Sequence, residues 1–177
     1  MSVAARLDDA AGRLRALQDI DAIETLKARY WRGVDSKNPA CVEACLTADA
    51  VVDFEGLPRF TSRAAFMEIV RRGAARAQAW DMHHGHNPVI TLTGADSAEG
   101  SWDIFYYGID VASSTLVQMA GTYSDRYVRR GDDWLIASTT MCQSSLHVQT
   151  VTGGVAKTLI FGRADAPRDF QPQENPA

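Results

Sequence analysis

Histidines and carboxylates are the residues of this chain that are best suited to proton chemistry. Three of the four histidines, His83, His84 and His86, lie within four residues of one another. An imidazole can take up or release a proton near neutral pH, so each of them could act as a general base. On a strand, His84 and His86 would share one face and His83 would point to the other. Only two histidines would then lie together, which disfavours a metal site.

Two residues of a predicted helix could work with such a base. Asp35 stands near the end of that helix, and Tyr30 could donate its phenolic O–H to a carbonyl or to a developing oxyanion. The sequence also leaves plain structural roles open. Asp35 could belong to a polar helix end, His83 could be a hydrogen-bonded core or edge-strand histidine, and Tyr30 could be a packing residue whose hydroxyl reaches water.

Apolar residues at three- and four-residue steps predict the helices that would carry these groups. The predicted helices span residues 3–17 and 19–36, a short segment that begins at Asn38-Pro39, and a segment from Thr61 or Ser62 to about residue 79. Asp19 or Asp21 would cap the second helix. Lys27 would fall beside its apolar face, and we expect its ammonium group to reach solvent.

Alternating apolar and polar residues then predict strands at 50–54, 82–94, 98–110, 114–129 and 133–147. Helices followed by an antiparallel meander predict an α+β domain, with a curved, cone-shaped antiparallel sheet roofed by the N-terminal helices. The concave side of such a half-open barrel would form a pocket. We expect one domain over residues 1–163 and a flexible tail over 164–177, which is rich in Asp, Pro and Gln.

Charge and composition exclude several classes of protein. The net charge is −4 and no run of Lys or Arg exceeds two residues, so we expect no nucleic-acid partner. No apolar run approaches the roughly 20 residues that span a bilayer, and charged residues interrupt the N-terminal segment. We therefore expect a cytoplasmic protein without a membrane anchor. The three cysteines form no CxxC pair, which favours simple packing roles for them.

Two segments resemble a known family. Residues 20–35 are similar to the opening helix of SnoaL-like proteins, with Ile23, Leu26, Tyr30, Val34 and Asp35 at the family's positions. Residues 82–91, followed by Gly100-Ser101-Trp102, resemble the strand that carries the family's histidine. These proteins belong to the nuclear-transport-factor-2-like (NTF2-like) superfamily, which has a cystatin-like fold. Within it the sequence most resembles bile acid 7α-dehydratase, and more distantly lindane dehydrochlorinase and scytalone dehydratase.

The resemblance implies a cofactor-independent, dehydratase-like lyase or an isomerase, with no metal. Asp35 would orient His83 and stabilise its imidazolium form, His83 would move the proton, and Tyr30 would polarise the substrate. The implied ligand is a small hydrophobic molecule that contains a ring. The candidate substrate-binding residues are Trp31, Phe54, Trp102, Tyr106 and Gln143.

Two positions depart from the bile acid dehydratase pattern, which has an aspartate where this chain has Tyr106 and an arginine where it has Gln143. Two other interpretations therefore stay open: a small-molecule-binding module without catalysis, and the small subunit of a larger assembly. Residues 148–162 are apolar enough to pack on a neighbouring subunit. The resemblance implies a homotrimer, with a homodimer as the alternative.

Overall fold

The computed structural model of this chain describes residues 3–162, with side chains described from residue 9 onward. Three helices and one curved, open six-stranded sheet make up this range, which confirms the predicted α+β class. The helices are α1 (Val3–Asp35), α2 (Pro39–Ala44) and α3 (Arg63–Ala74). The strands are β1 (Leu46–Phe54), β2 (Ala79–Gly94), β3 (Ser97–Asp110), β4 (Thr115–Arg130), β5 (Asp133–Thr152) and β6 (Val155–Gly162). The predicted tail at 164–177 lies outside the described residues.

Helix α1 is one continuous helix, so the predicted break between residues 17 and 19 is wrong. Neither Gly nor Pro stands near the expected junction to end the first segment. Asp19 does not cap a second helix. Its Oδ1 accepts a hydrogen bond from Trp134 Nε1 at 3.2 Å and pairs with Arg129, which ties α1 to the ends of β4 and β5.

The inner face of α1 is a stripe of buried residues at helical spacing, and it packs against β2 and β5. Lys27 belongs to this stripe and is fully buried, so the expectation that it reaches solvent is wrong. Its Nζ lies 2.7 Å from Asp125 Oδ2 on β4, a partner that the local sequence does not reveal. The stripe comprises Ile23, Leu26, Lys27, Tyr30 and Trp31.

Both short helices begin as predicted. The Asn38 side chain accepts a hydrogen bond from Cys41 N at 3.1 Å, with Pro39 at the first helical position, and Ser62 Oγ accepts from Ala65 N. Helix α3 ends at Ala74 rather than near residue 79, because the chain from Ala79 onward already belongs to strand β2.

The sheet has the order β1-β5-β4-β3-β2, and β2 to β5 form the predicted antiparallel meander. Strand β1, longer than predicted, pairs with β5 in parallel, which the wholly antiparallel prediction missed. Strand β6, also missed, continues along the same edge of β5 beyond β1. Gly153 and Gly154 both have positive φ and make the β5–β6 turn, so part of the segment predicted to meet a neighbouring subunit is a hairpin. Oligomerisation itself stays a prediction.

The concave face of the sheet holds the core. On β4, Tyr123 and Tyr127 point inward, as the predicted alternation requires, and both are buried. Strand β2 is the edge strand opposite β1, and its residues 79, 81 and 83 alternate inward. No helix within residues 3–162 combines the length and the apolar composition needed to cross a membrane.

Candidate active site

A cavity of about 210 Å³ lies between α1, α3 and the concave face of the sheet; we call it the main cavity. Most of its wall is apolar or aromatic. Asp81 and His83 of β2 and Tyr106 of β3 form one polar end, and the polar side chains of Lys37, Asn38 and Arg76 also line the cavity. Its remaining wall includes Tyr30, Val34, Phe54, Leu57, Phe66, Ile69, Val70 and Tyr123. This is the form expected of a small-molecule site, with apolar walls and a few converging polar groups.

Asp35 and His83 meet at this polar end, although 48 positions separate them in the chain. Asp35 is the last residue of α1, and His83 faces inward from edge strand β2. The ring atom His83 Nδ1 lies 2.5 Å from Asp35 Oδ1, and the backbone N–H of His83 donates to Asp35 Oδ2 at 3.0 Å. Both oxygens of the Asp35 carboxylate thus contact His83. These two contacts fix the orientation of the imidazole ring and leave its Nε2 free for a ligand.

The pair is partly buried, with side-chain exposures of 14% for His83 and 23% for Asp35. His83 lines the main cavity and also a more open groove of about 520 Å³ between α1 and β2, and Asp35 lines only the groove. The carboxylate therefore reaches the main cavity through the imidazole ring. This arrangement suits a base that is oriented from behind.

Tyr30 is buried in the wall of the main cavity, one helical turn before Val34. Burial is the main cause that raises the pKa of its phenol well above the ordinary value, and the neighbouring Tyr123 and Asp125 raise it further. A phenol in this environment keeps its proton, so it can act as a hydrogen-bond donor.

Asp81 is a site residue that the sequence analysis missed. It lies two residues before His83 on the same inward face of β2, and it accepts a hydrogen bond from the Tyr106 hydroxyl. Tyr106 stands directly opposite His83 on β3, with the two ring centroids 5.0 Å apart. The period-two alternation that placed His83 inward also places Asp81 inward, and that signal could have identified it.

The other predicted ligand-binding residues divide into two groups. Phe54 lines the main cavity, and its role in substrate binding stays a prediction. Trp31 and Trp102 lie behind it in the core, in an edge-to-face contact at 5.3 Å, and line the groove instead. Gln143 lies outside the lining: its side-chain Nε2 donates to the backbone carbonyl of Glu55 at 3.4 Å and its backbone N–H to Glu55 Oε2 at 2.7 Å, beside the turn that follows β1.

A buried ion pair lies beneath the aromatic wall of the main cavity. Lys27 Nζ contacts Asp125 Oδ2 at 2.7 Å, and both side chains are fully buried. The same ammonium lies 4.0 Å from the centroid of the Tyr123 ring. Tyr127 donates to Asp125 Oδ2 at 2.6 Å and accepts from Trp102 Nε1 at 2.9 Å, which extends the network across the core.

His84 and His86 are exposed on β2 and lie outside the main cavity, although His84 lines the groove beside Asp35 and His83. Within the described part of the chain, no three His, Cys, Asp or Glu side chains are grouped so that they could hold a metal ion.

Comparison with known proteins gives a family and a set of folds. The SnoaL-like domain model matches residues 15–140, well over half of the chain. The hexachlorocyclohexane dehydrochlorinase LinA-type3 from Novosphingobium barchaimii is 20% identical, with a TM-score of 0.67, over 83% of this chain and 94% of that one. A scytalone dehydratase-like protein from Novosphingobium aromaticivorans is 16% identical, with a TM-score of 0.70, over 86% and 97%.

A further solved structure from Novosphingobium aromaticivorans, an NTF2-like protein with a cystatin-like fold, is 20% identical. It has a TM-score of 0.65 and covers 77% of this chain and 89% of that one. At these identities the solved structures show the fold alone, and the fold agrees with the predicted cone-shaped sheet.

Proposed function

Because this chain belongs to the SnoaL-like domain family, we propose that it is a cofactor-independent lyase or isomerase that acts on a hydrophobic cyclic substrate. The observation that carries the proposal is the 2.5 Å contact between Asp35 Oδ1 and His83 Nδ1 at the polar end of an apolar cavity. The names of two relatives with this fold, a dehydrochlorinase and a scytalone dehydratase-like protein, support an elimination reaction.

In the proposed reaction, His83 Nε2 takes a proton from a ring carbon of the substrate. The electron pair of that C–H bond forms a carbon–carbon double bond, and the leaving group departs from the neighbouring carbon with its own bonding pair. A leaving hydroxide receives the proton from His83 and departs as water; a leaving halide departs as the anion, and His83 then gives its proton to solvent. Asp35 stabilises the imidazolium in between, and Tyr30 donates a hydrogen bond to the leaving atom or to a carbonyl.

The size of the main cavity supports a small substrate. A dry cavity of about 150 Å³ is known to hold one benzene molecule, and the main cavity measures about 210 Å³. The space suits one ring with small substituents better than a four-ring steroid. Resemblance to bile acid 7α-dehydratase therefore does not carry that enzyme's substrate to this chain.

The test is turnover of a panel of hydroxylated and halogenated single rings by the intact protein. We expect His83→Ala and Asp35→Asn each to lower product formation by about 100-fold or more, with unchanged circular dichroism and thermal melting. His86→Ala is the matched control, because His86 is exposed on the same strand and lines neither the main cavity nor the groove. Normal turnover by His83→Ala refutes the mechanism. Tight binding of a ligand that is always returned unchanged supports the binding-module alternative.

A further inference from the structure

We propose that Asp81 and Tyr106 form a specificity site within the main cavity that selects ring substrates carrying a hydrogen-bond donor, such as a hydroxyl group. We call this pair the acceptor corner. The proposal rests on the proposed function in one respect only, that the main cavity is where the substrate binds. Asp81 and Tyr106 would recognise one functional group on the ring, a hydrogen-bond donor.

The acceptor corner is built into the sheet. Asp81 pairs with Gly108 across β2 and β3, and Tyr106 lies two residues before Gly108 on the same face. A Cβ atom at Gly108 would stand 2.3 Å from the Tyr106 hydroxyl oxygen. Glycine at position 108 therefore leaves room for the phenol ring to lie along the strand and donate to Asp81.

The hydrogen bonds within the corner decide what it offers to a ligand. Tyr106 gives its single proton to Asp81 Oδ1, so its oxygen turns only lone pairs towards another partner. Burial, and then the contact with Asp81, raise the pKa of Tyr106, so the phenol keeps that proton. An ionised carboxylate is likewise an acceptor only. A ligand that enters this corner must bring the proton itself.

Two cations also line the main cavity, and the carboxylates of the protein already pair with one of them, Arg76. Arg76 Nη2 lies 3.8 Å from Asp81 Oδ2, and its Nη1 contacts Asp110 Oδ2 at 3.3 Å. Lys37 donates to the backbone carbonyl of Arg76. Arg76 thus divides its charge between two carboxylates. The corner favours a neutral donor over an anionic substituent.

Equilibrium binding of phenol, toluene and benzoate, followed by NMR shifts of cavity-lining residues, tests the proposal without any turnover. We expect wild-type protein to bind phenol at least about tenfold more tightly than toluene, as one hydrogen bond to a charged acceptor provides. Asp81→Asn should reduce that preference to about threefold or less. Asp110→Asn is the matched control, because Asp110 is the other carboxylate that contacts Arg76 and it lies outside the lining of the main cavity. This variant should keep the preference for phenol.

Equal affinity of the wild type for phenol and toluene overturns the proposal, as does the absence of phenol binding in this cavity. Tighter binding of benzoate than of phenol also overturns it, since Arg76 and Lys37 would then set the selectivity. The wild-type comparison stands even where a variant fails to fold. The proposed elimination is tested separately. Turnover by His83→Ala tests the elimination, whereas the preference for phenol over toluene tests Asp81 and requires no turnover.

Discussion

Replacing Lys27 by methionine tests whether the buried ion pair holds the helix against the sheet. The side chains of Lys27 and Asp125 are both fully buried, and Nζ lies 2.7 Å from Oδ2. Burial lowers the pKa of Lys27, and the attraction of Asp125 offsets part of that effect. Methionine has nearly the same length and shape as the lysine stem, so the variant removes the charge and little of the packing.

The expected cost follows from what Lys27→Met leaves behind. Asp125 Oδ2 keeps its hydrogen bond from Tyr127 at 2.6 Å, while Oδ1 is buried and has no partner among the described residues. An uncompensated buried carboxylate costs about 3–5 kcal/mol. The ammonium over the Tyr123 ring, 4.0 Å from its centroid, is lost as well. We therefore expect a loss of about 3–5 kcal/mol, a large share of the roughly 5–15 kcal/mol that stabilises a domain.

Urea unfolding followed by circular dichroism and tryptophan fluorescence measures this loss. For a domain of this size it corresponds to a melting temperature lower by about 6–20 °C. Lys27→Met combined with Asp125→Leu should recover at least half of the loss, since no unpaired charge remains although Tyr127 loses its acceptor.

Arg72→Met is the exposed control, since Arg72 lies 3.9 Å from Glu68 with both side chains mostly exposed. It should change the unfolding free energy by less than about 0.5 kcal/mol. If the unfolding free energy of Lys27→Met lies within about 1 kcal/mol of the wild-type value at an unchanged denaturant slope, loss of Lys27 does not leave an uncompensated buried charge on Asp125, and the reasoning is refuted.

Two further measurements test the packing around the site. The folded protein should lose stability as the pH rises above about 10, because buried phenols stay protonated in the folded chain while those of the unfolded chain ionise near that pH. Urea midpoints measured at several pH values, together with the absorbance of the phenolate, test this. A constant midpoint from about pH 8 to 11 contradicts it. The tyrosines whose pKa is raised, with burial as the main cause, are Tyr30, Tyr106, Tyr123 and Tyr127. Gly85→Ala should destabilise the fold by about 1–3 kcal/mol, because a Cβ there would stand 1.9 Å from the ring of Trp31, which other aromatic rings hold in place. Gly73→Ala, where nothing lies within 4 Å, should instead stabilise by about 0.5–1 kcal/mol, and equal stability of the two alanine variants refutes this account.

The fold was largely predictable because its signals are local. Helical spacing placed the inner face of α1, and alternation placed the inward residues of β4. The errors concern distant partners. Nothing in the sequence around Lys27 distinguishes it from a solvent-exposed lysine, because its partner Asp125 lies on a strand far along the chain. The parallel pairing of β1 with β5 is likewise set by tertiary contacts, whereas the Gly153-Gly154 pair before β6 is a local turn signal.

The site was predictable to a smaller extent. Resemblance, rather than spacing, suggested that Asp35 and His83 act together, and the structure brings their side chains into contact. The resemblance implies a substrate-binding role for Gln143, but its backbone N–H and its side-chain amide both donate to Glu55, outside the lining of the main cavity. The resemblance implies no role for Asp81, although Asp81 faces inward from β2 just as His83 does.

The Lys27–Asp125 ion pair and the Asp35–His83 hydrogen bond depend on the same helix. Lys27 and Tyr30 lie about one turn apart on the inner stripe of α1, and Asp35 is the last residue of the helix. Docking of α1 against the sheet therefore brings Lys27 to Asp125 and Asp35 to His83 at the same time. A change at Lys27 can therefore reduce turnover simply by moving Asp35 away from His83. The two effects separate by temperature: a displaced helix should lose activity in step with stability, whereas Asp35→Asn should lose activity while the fold remains intact. Only the second result assigns the chemistry to the carboxylate.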